Sequence, residues 1–304
     1  MRLIVSGHRV GITVIELMVA VGILGILASL LFPAIQYARE ASRMTTCKSN
    51  LKQIGIATND FHSRFRKFPD DGSPLRDLLK VIDPTLDAAI VANKRESVGP
   101  SIYGCPSDWK LDDFYPMYRI SYFYQQGWRI GSQDGMVPRE TNARTASEII
   151  DGLSNTVGFG ERLLGFHGFM FNEPSAAEKK RHPIRQIFLA RNHFDEGQED
   201  ELLEETEQLK LLDDPPVGPN VAPYLGMGSR LGSENYYTHL SPPNNWTVSL
   251  LNGSFGSRPA SSLHSGGVHI VYLDGHVSFV ANQVVLKVWR AISTVAGHET
   301  VDQP

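Results

Sequence analysis

The chain is poor in cysteine and has no excess of basic charge, and each shortage excludes a class of protein. Two cysteines, Cys47 and Cys105, in 304 residues are too few for a disulfide-dense scaffold or an all-cysteine zinc site. Lysine and arginine total 29 against 33 acidic residues, which gives a formal net charge of −4. The chain therefore lacks the positive surface that contacts with nucleic-acid phosphates require, and we expect no nucleic-acid partner.

The common catalytic signatures are also missing. The sequence contains no His-Glu-x-x-His metal motif, no Gly-x-Ser-x-Gly nucleophile elbow, no P-loop and no dinucleotide-binding glycine pattern. We therefore expect a protein that is not an enzyme and holds neither a metal nor a cofactor.

The longest apolar run covers residues 12–35. As a helix it would extend about 36 Å at 1.5 Å per residue, enough to cross a hydrocarbon layer of about 30 Å. The run is longer than the apolar part of a cleaved signal peptide. We expect residues 12–35 to form one membrane-spanning helix that stays with the mature chain.

Pro33 lies near the end of this run and removes a backbone hydrogen bond, so we expect it to bend the helix. The helix should not end there, because apolar residues continue at spacings of mostly three or four, the period of a one-faced helix. This stripe consists of Tyr37, Ala41, Met44, Cys47, Leu51, Ile54 and Phe61. The sequence predicts a kinked helix of about fifty residues, with an amphipathic stalk over residues 36–66.

Glu16 is an ionisable residue near the start of the apolar run. A charge at membrane depth is costly and is a functional hypothesis by default, although Glu16 could also lie in the headgroup region. Gly11 followed by the residues 12–16 (Ile-Thr-Val-Ile-Glu) resembles the type IV prepilin leader. The resemblance implies that residues 1–11 are a leader, that prepilin peptidase cuts between Gly11 and Ile12, and that it methylates the new amino terminus. It further implies that Glu16 pairs with the terminal amine of a neighbouring pilin-type subunit.

The orientation of the membrane helix is predicted differently by charge and by the resemblance. Basic residues between positions 39 and 52 follow the apolar run, and charge counting alone would keep that side in the cytoplasm. The prepilin resemblance implies a single-pass inner-membrane protein with an exported head. We follow the resemblance, because these cations fall on the polar face of the predicted stalk.

The head, residues 67–304, has the pattern of an α+β domain. Residues 75–94 look helical with an interruption at Pro84, and residues 120–124 and 156–159 are β-prone. Asp274 and Gly275 separate two β-prone runs and predict a tight hairpin, with positive φ angles supplied by the Asp-Gly pair. Apolar residues on both faces predict that this hairpin is central in the sheet. We expect a pilin-like fold, in which the kinked helix packs on an antiparallel sheet head with long loops.

Cys47 lies on the apolar stripe of the predicted stalk, and Cys105 opens a Cys-Pro-Ser-Asp loop in the head. A disulfide between them could clamp the head to the stalk, and export into an oxidising space would permit it. The alternative is two separate buried thiols.

A second resemblance extends into the head. His264, followed after nine residues by Asp274 and Gly275, matches the H-X9-DG signature of a large family of bacterial exported proteins with prepilin leaders. The family's common domain has no assigned function. Residues 47–62, the Cys-Pro-Ser-Asp loop and a further segment look like other recurring blocks of this family. That segment contains Asp151, Gly152, Ser154, Asn155 and Thr156.

Two groups of residues allow either a functional-site interpretation, which we call the sharper one, or a purely structural interpretation, which we call the plainer one. His264 and Asp274, with His269 and His276 nearby in sequence, could hold a metal or act in hydrolysis. In the plainer interpretation Asp274 is a turn residue and His264 hydrogen-bonds a neighbouring loop. The acidic residues 195–214 predict a solvated amphipathic helix ended by Pro215 and Pro216, with a calcium site as the sharper alternative.

The leading hypothesis is a non-enzymatic pilin-like or pseudopilin-like subunit of a filament, a secretion apparatus or a cell-surface assembly. The alternative is a membrane-tethered protein whose exported head captures a solute or a polymer.

Overall fold

A computed structural model describes residues 13–70, 74–91, 101–108, 120–131, 134–137, 143–163, 176–216, 236–250 and 255–297. The chain divides into two units, Met1–Arg43 and Met44–Pro304. The longest element, helix α1 (Val14–Phe65), begins in the first unit and ends in the second.

Helix α1 has 52 residues and contains Pro33 in its interior. The prediction that the helix does not end at the proline is confirmed. In the second unit one face of α1 is buried at Cys47, Leu51, Ile54, Ala57 and Phe61, spacings that fit one side of a helix. The predicted stripe is wrong for Tyr37, which is 79% exposed, and for Ala41, which is also exposed.

Five shorter helices and three single turns of 3₁₀-helix accompany α1 in the described parts of the chain. The helices are α2 (Pro74–Ile82), α3 (Pro84–Val91), α4 (Ala176–Arg181), α5 (Glu199–Leu209) and α6 (Leu286–Ala291). The 3₁₀ turns are Ser101–Tyr103, Ala146–Glu148 and Pro183–Arg185. The predicted interruption of the 75–94 helix at Pro84 is confirmed. It follows from the fixed φ angle and missing amide hydrogen of proline, which suit the first turn of a new helix.

The larger sheet has five strands in the order β4-β1-β2-β7-β8. Their bounds are β1 (Tyr122–Gln125), β2 (Val157–Glu161), β4 (Tyr236–Tyr237), β7 (Gly267–Tyr272) and β8 (Val277–Ala281). Strands β1 and β4 are parallel, and the other neighbours are antiparallel. The α+β class is confirmed, but the sheet is mixed rather than purely antiparallel.

The predicted hairpin forms, but not as expected in detail. Strands β7 and β8 pair antiparallel, and β8 is the last strand of the sheet order. The whole of β7 is buried, whereas β8 buries only Val280. The prediction of a central hairpin is therefore right for β7 and wrong for β8. Residues 273–276 connect the two strands, and among them only Gly275 has a positive φ angle, of 87°, which is typical of a type I turn closed by a left-handed glycine.

A smaller sheet was not predicted. It consists of β3 (Ile187–Leu189), β5 (Thr247–Ser249) and β6 (Phe255–Ser257), with β3 and β5 parallel. Helix α5 contributes Leu202 and Leu209 to the core beside this sheet. The predicted acidic helix is thus present, but it ends at Leu209, before the two prolines.

Two carboxylates of α5 are buried rather than solvated. Glu199 accepts a hydrogen bond from the Ile130 amide at 2.9 Å. Glu205 accepts from the Arg191 amide and from the Asn192 side chain. These two acids hold neighbouring loops, so the predicted solvated amphipathic helix is corrected at Glu199 and Glu205, which are buried.

Candidate functional site

The predicted disulfide between Cys47 and Cys105 is present, and both residues are buried. Cys47 lies on α1, and Cys105 lies just after the Ser101–Tyr103 turn. Two side chains fix this junction from either side. Asn50 donates to the Gly104 carbonyl at 3.1 Å, and the Tyr122 hydroxyl donates to the Cys47 carbonyl at 3.3 Å. The disulfide therefore ties the buried face of α1 to the loop that begins at Gly104.

His264 lies against this disulfide. Its Nε2 atom is 3.5 Å from Sγ of Cys105 and 3.1 Å from Oε1 of Glu161 at the end of β2. Neither a disulfide sulfur nor a carboxylate has a hydrogen to donate, so Nε2 must carry the hydrogen.

Glu161 is a buried carboxylate held by two histidines. Its Oε2 accepts a hydrogen bond from the His269 amide at 2.8 Å, and its Oε1 lies 3.2 Å from Nδ1 of His269. Burial raises the pKa of Glu161, but the hydrogen bonds from His264 and His269 and the interaction with their charge outweigh burial and leave the pKa below its ordinary value. The carboxylate is therefore ionised inside the protein.

Four side chains of metal-ligand type meet at this place. One atom from each of Cys47, Cys105, Glu161 and His264 lies within 4.8 Å of the other three, and all four residues are buried. We call these residues the Cys-His-Glu cluster. Among the residues that the structure describes, this is the group whose atoms could hold a metal ion. The expectation of no metal was based on local motifs, and this cluster is assembled from distant segments.

His264 and Asp274 do not form a catalytic or metal-binding pair. The six residues of β7 lie between them, a separation of about 20 Å at 3.3 Å per residue. Asp274 accepts hydrogen bonds from the amide and the ring of His276, at 3.0 and 2.6 Å. Asp274 is thus a turn residue, as in the plainer interpretation. His264 contacts Cys105 of a neighbouring loop, as in the plainer interpretation, and it also contacts Glu161 of β2.

The Asp274-Gly275 turn docks onto α1. Lys52 donates to the Gly275 carbonyl at 2.7 Å, and Asn59 donates to the Leu273 carbonyl at 3.1 Å. Between them Gly55 leaves the space for this contact, since a Cβ atom there would lie 2.9 Å from the Cα of Gly275 and 2.7 Å from Cγ2 of Val271. The Asp-Gly part of the signature therefore packs the hairpin on the helix.

The Asp151–Thr156 segment joins the same hairpin to the C-terminal part of the fold. Asp151 accepts from the Gly297 amide at 2.7 Å and from the Thr294 hydroxyl at 3.0 Å. The Leu153 carbonyl accepts from the Asp274 amide at 3.0 Å.

Within this segment the other predicted signature residues shape the turn. Gly152 has a φ angle of 94°, Asn155 donates to the Asp151 carbonyl at 2.8 Å, and the Thr156 hydroxyl donates to the Thr294 carbonyl at 3.1 Å. Ser154 lies in the turn between them. These contacts assign the segment a structural role.

The Cys-Pro-Ser-Asp loop ends in a buried ion pair. Asp108 pairs with Arg185, and the Ser121 hydroxyl donates to Asp108 at 3.3 Å. The pair ties this loop to the 3₁₀ turn that precedes β3. The block therefore positions Cys105 through its last residue as well as through the disulfide.

The predicted assembly residues lie in the first unit. Gly11 and Ile12 are outside the described residues, and nothing in the structure tests the predicted cleavage. Glu16 accepts hydrogen bonds from the Thr13 amide and hydroxyl, both at 2.8 Å, and its own amide donates to the Thr13 hydroxyl at 3.3 Å. This reciprocal pattern is a capping box, which stabilises the start of α1.

The apolar residues that follow Glu16 are exposed in the part of the chain that the structure describes. Every large apolar side chain from Val14 to Phe32 is half exposed or more. The segment is long and apolar enough to cross a membrane, so it is compatible with a single-pass anchor.

A family model described as "Protein of unknown function (DUF1559)", with the label SBP_bac_10, matches residues 36–75 and 82–286. The chain belongs to this family. The DUF1559 match covers the whole Cys-His-Glu cluster, the Asp151–Thr156 segment and the Asp274-Gly275 turn, and it begins after the apolar run. No curated protein and no solved structure matches the chain.

Sequence reasoning missed Glu161, Gly55, Lys52 and Asn59. Glu161 lies two residues after the β-prone segment 156–159 that predicted β2, and an acid at the end of a buried strand is a signal for a buried polar contact. Gly55 interrupts the apolar stripe of α1, and glycine inside a helix costs stability unless a close approach requires it. Both signals were in the sequence, although neither one identified its partner.

Proposed function

We propose that this DUF1559 protein is a non-enzymatic, pilin-like or pseudopilin-like subunit that assembles through the first half of α1. The observation that carries the proposal is the unburied apolar segment with a single acid, Glu16, in its first turn. Exposed apolar surface of this size is costly in water and is stable only in a membrane or against other chains.

The sequence of events follows from the leader resemblance. Prepilin peptidase removes residues 1–11 and methylates Ile12, which leaves a free amine one helical turn before Glu16. In a medium of low dielectric constant, the attraction between this amine and a carboxylate is strong. Pairing between the amine of one subunit and Glu16 of the next would fix their register, while the apolar side chains pack together.

The location of the head is part of the proposal. We place the head outside the cytoplasm, with α1 in the inner membrane. The Cys47–Cys105 disulfide supports this placement, since stable disulfides are rare in the reducing cytoplasm.

The amino terminus of the native protein tests processing. Mass spectrometry of chains purified from their own membranes should find methylated Ile12 as the first residue. Chains that start at Met1 would contradict the proposal.

A pair of variants separates assembly from helix capping. Glu16→Gln keeps the capping box, because glutamine also serves at this position, but it removes the charge. Thr13→Ala weakens the capping box but keeps the charge. Two differently tagged copies should co-purify from membranes as wild type and as Thr13→Ala, and should not co-purify as Glu16→Gln. The reverse pattern would show that Glu16 only caps its own helix.

A further inference from the structure

We propose that the Cys-His-Glu cluster is a binding site for one divalent ion of the zinc class when its disulfide is reduced. Cys47 and Cys105 would then be either a disulfide or two metal ligands, never both at once. Two thiolates, one imidazole nitrogen and one carboxylate oxygen form a donor set that suits tetrahedral Zn²⁺.

Two measured distances are close to those of such a site. With metal–ligand bonds of 2.0 to 2.3 Å, ligand atoms in a tetrahedral site lie about 3.3 to 3.8 Å apart. Nε2 of His264 is already 3.5 Å from Sγ of Cys105 and 3.1 Å from Oε1 of Glu161. The four ligand atoms lie within 4.8 Å of one another, and cleavage of the disulfide allows the two sulfur atoms to separate to the distance that a metal requires.

The ligands are held from outside the cluster. The pairing of β2 with β7 connects the segments that carry Glu161 and His264. The His269 amide fixes Oε2 of Glu161 and its ring lies against Oε1, an arrangement that orients a metal-binding carboxylate. The backbone of His264 is fixed by its own hydrogen bond to the Ser262 hydroxyl, at 3.1 Å.

Burial and charge favour a cation in the reduced protein. All four ligand residues are buried. The three negative charges of two thiolates and the Glu161 carboxylate are very costly in the interior without a counter-charge, so the thiols lose their protons only as the metal binds. A divalent ion offsets two of these charges, and the ring of His269 lies beside the carboxylate.

The chemistry is a thiol–disulfide exchange followed by ligand binding. A dithiol reductant gives two hydrogens to the sulfurs of Cys47 and Cys105 and becomes a disulfide itself. Metal binding then releases the two thiol protons, and His264 binds through Nε2 with its proton moved to Nδ1. A disulfide oxidant reverses the exchange and expels the ion.

Cobalt reports on the proposed ligands directly. The full chain in detergent is reduced with dithiothreitol in the presence of Co²⁺, and the reductant and unbound metal are then removed without air. We expect one Co²⁺ per chain, with thiolate-to-cobalt charge-transfer absorption and the visible bands of tetrahedral cobalt. The oxidised chain should bind none, and reoxidation of the loaded chain should release the ion.

Variants identify the remaining ligands. His264→Ala and Glu161→Gln should each weaken Co²⁺ binding by more than the effect of His269→Ala, for which we expect about 10- to 100-fold. The matched control is His276→Ala, which removes a partly exposed imidazole at the hairpin turn and should leave binding unchanged.

The proposal would be overturned by a reduced chain that binds no Co²⁺, by cobalt bound without thiolate bands, or by binding that His264→Ala leaves unchanged.

If His264→Ala does not fold, X-ray absorption spectroscopy of the zinc-loaded wild-type chain identifies the ligands instead. Two sulfur and two nitrogen or oxygen neighbours are expected, and a shell without sulfur contradicts the site. A reduced chain that unfolds even with Co²⁺ present also contradicts it.

Discussion

The two halves of α1 have the same secondary structure and opposite surroundings. From Val14 to Phe32 the large apolar side chains are exposed, whereas from Cys47 to Phe61 one face is buried in the head. The second half is stabilised by contacts within its own chain. The large apolar side chains of the first half are exposed among the described residues, a surface that is costly in water and that the proposed function places in lipid or against other subunits.

This difference separates residues of α1 whose contacts lie in the head from residues whose role depends on the proposed assembly. In the second half, Lys52, Gly55 and Asn59 each have a partner in the hairpin turn. In the first half, the polar contact of Glu16 is with Thr13, in its own turn of helix. Substitutions in the second half should therefore change the stability of the head, and those in the first half should change the behaviour of the chain in the membrane.

The largest effect on the second unit is expected from the disulfide. Cys47 and Cys105 are 58 residues apart, and closing a loop of this size in the unfolded chain stabilises the fold by about 4 kcal/mol in the chain-entropy description. Replacing both by alanine should lower the free energy of unfolding by this amount, measured by urea denaturation in detergent. Cys105→Ala alone should cost nearly as much, because either change removes the same bond. A loss well under 1 kcal/mol would contradict the role of the disulfide.

The same substitution, leucine to alanine, can be made in each half of α1. Leu51 is fully buried and Leu24 is 63% exposed. Leu51→Ala should lower the free energy of unfolding of the head by about 2 to 5 kcal/mol, since it leaves a cavity in the core. Leu24→Ala should leave it unchanged in the same urea titration. Equal effects would mean that the two halves are not independent.

Two glycines give a smaller contrast of the same kind. Alanine at Gly55 would put its Cβ against the backbone of Gly275, whereas nothing lies within 4 Å of a Cβ at Gly25. Overpacking costs about 1 to 3 kcal/mol, from which alanine recovers up to about 1 kcal/mol of helix propensity. Gly55→Ala should thus destabilise the head by about 1 kcal/mol, and Gly25→Ala should not destabilise it. A stabilised Gly55→Ala variant would contradict the close approach.

The smallest effect near neutral pH is expected from His239 in the second unit, and it grows as the pH falls. Burial lowers the pKa of His239 to about 3, although its hydrogen bond to the Trp289 carbonyl opposes the shift. The unfolded chain, with an ordinary histidine pKa of 6.5, therefore binds a proton before the folded chain does. The stability contributed by this residue is complete above pH 6.5 and falls as the pH decreases from there toward 3.

His239→Gln should flatten this part of the pH profile, measured as the urea midpoint by tryptophan fluorescence. His193→Gln is the control, since His193 is exposed and pairs with Asp195. An unchanged slope in His239→Gln would contradict the neutral buried ring.

Local patterns were enough to predict much of the fold. The spacing of apolar residues predicted α1, the Asp-Gly pair predicted the β7–β8 hairpin, and the apolar position of Cys47 made its bond to Cys105 plausible. Each of these depends on neighbouring residues or on a pair of rare ones. The parallel pairing of β3 with β5 joins segments about 60 residues apart, and no local pattern encodes such a partner.

The candidate site was predicted only in part for the same reason. His264 was recognised as a signature residue, but its contact with Glu161 spans 103 residues. The spacing of His264 and Asp274 suggested that they act together, and the length of β7 keeps them apart. The H-X9-DG spacing therefore contains two separate structural contacts, that of His264 with Glu161 and that of the Asp274-Gly275 turn with α1.

Cross-linking in the native membrane tests the central claim most directly. Val19 is 57% exposed on the first half of α1, and both native cysteines are engaged in the disulfide, so Val19→Cys provides the single free thiol. Mild oxidation of intact membranes should produce disulfide-linked dimers of this variant, and adding Glu16→Gln should abolish them. A Val19→Cys chain that stays monomeric, or dimers that persist without the Glu16 charge, would contradict assembly through this half of the helix.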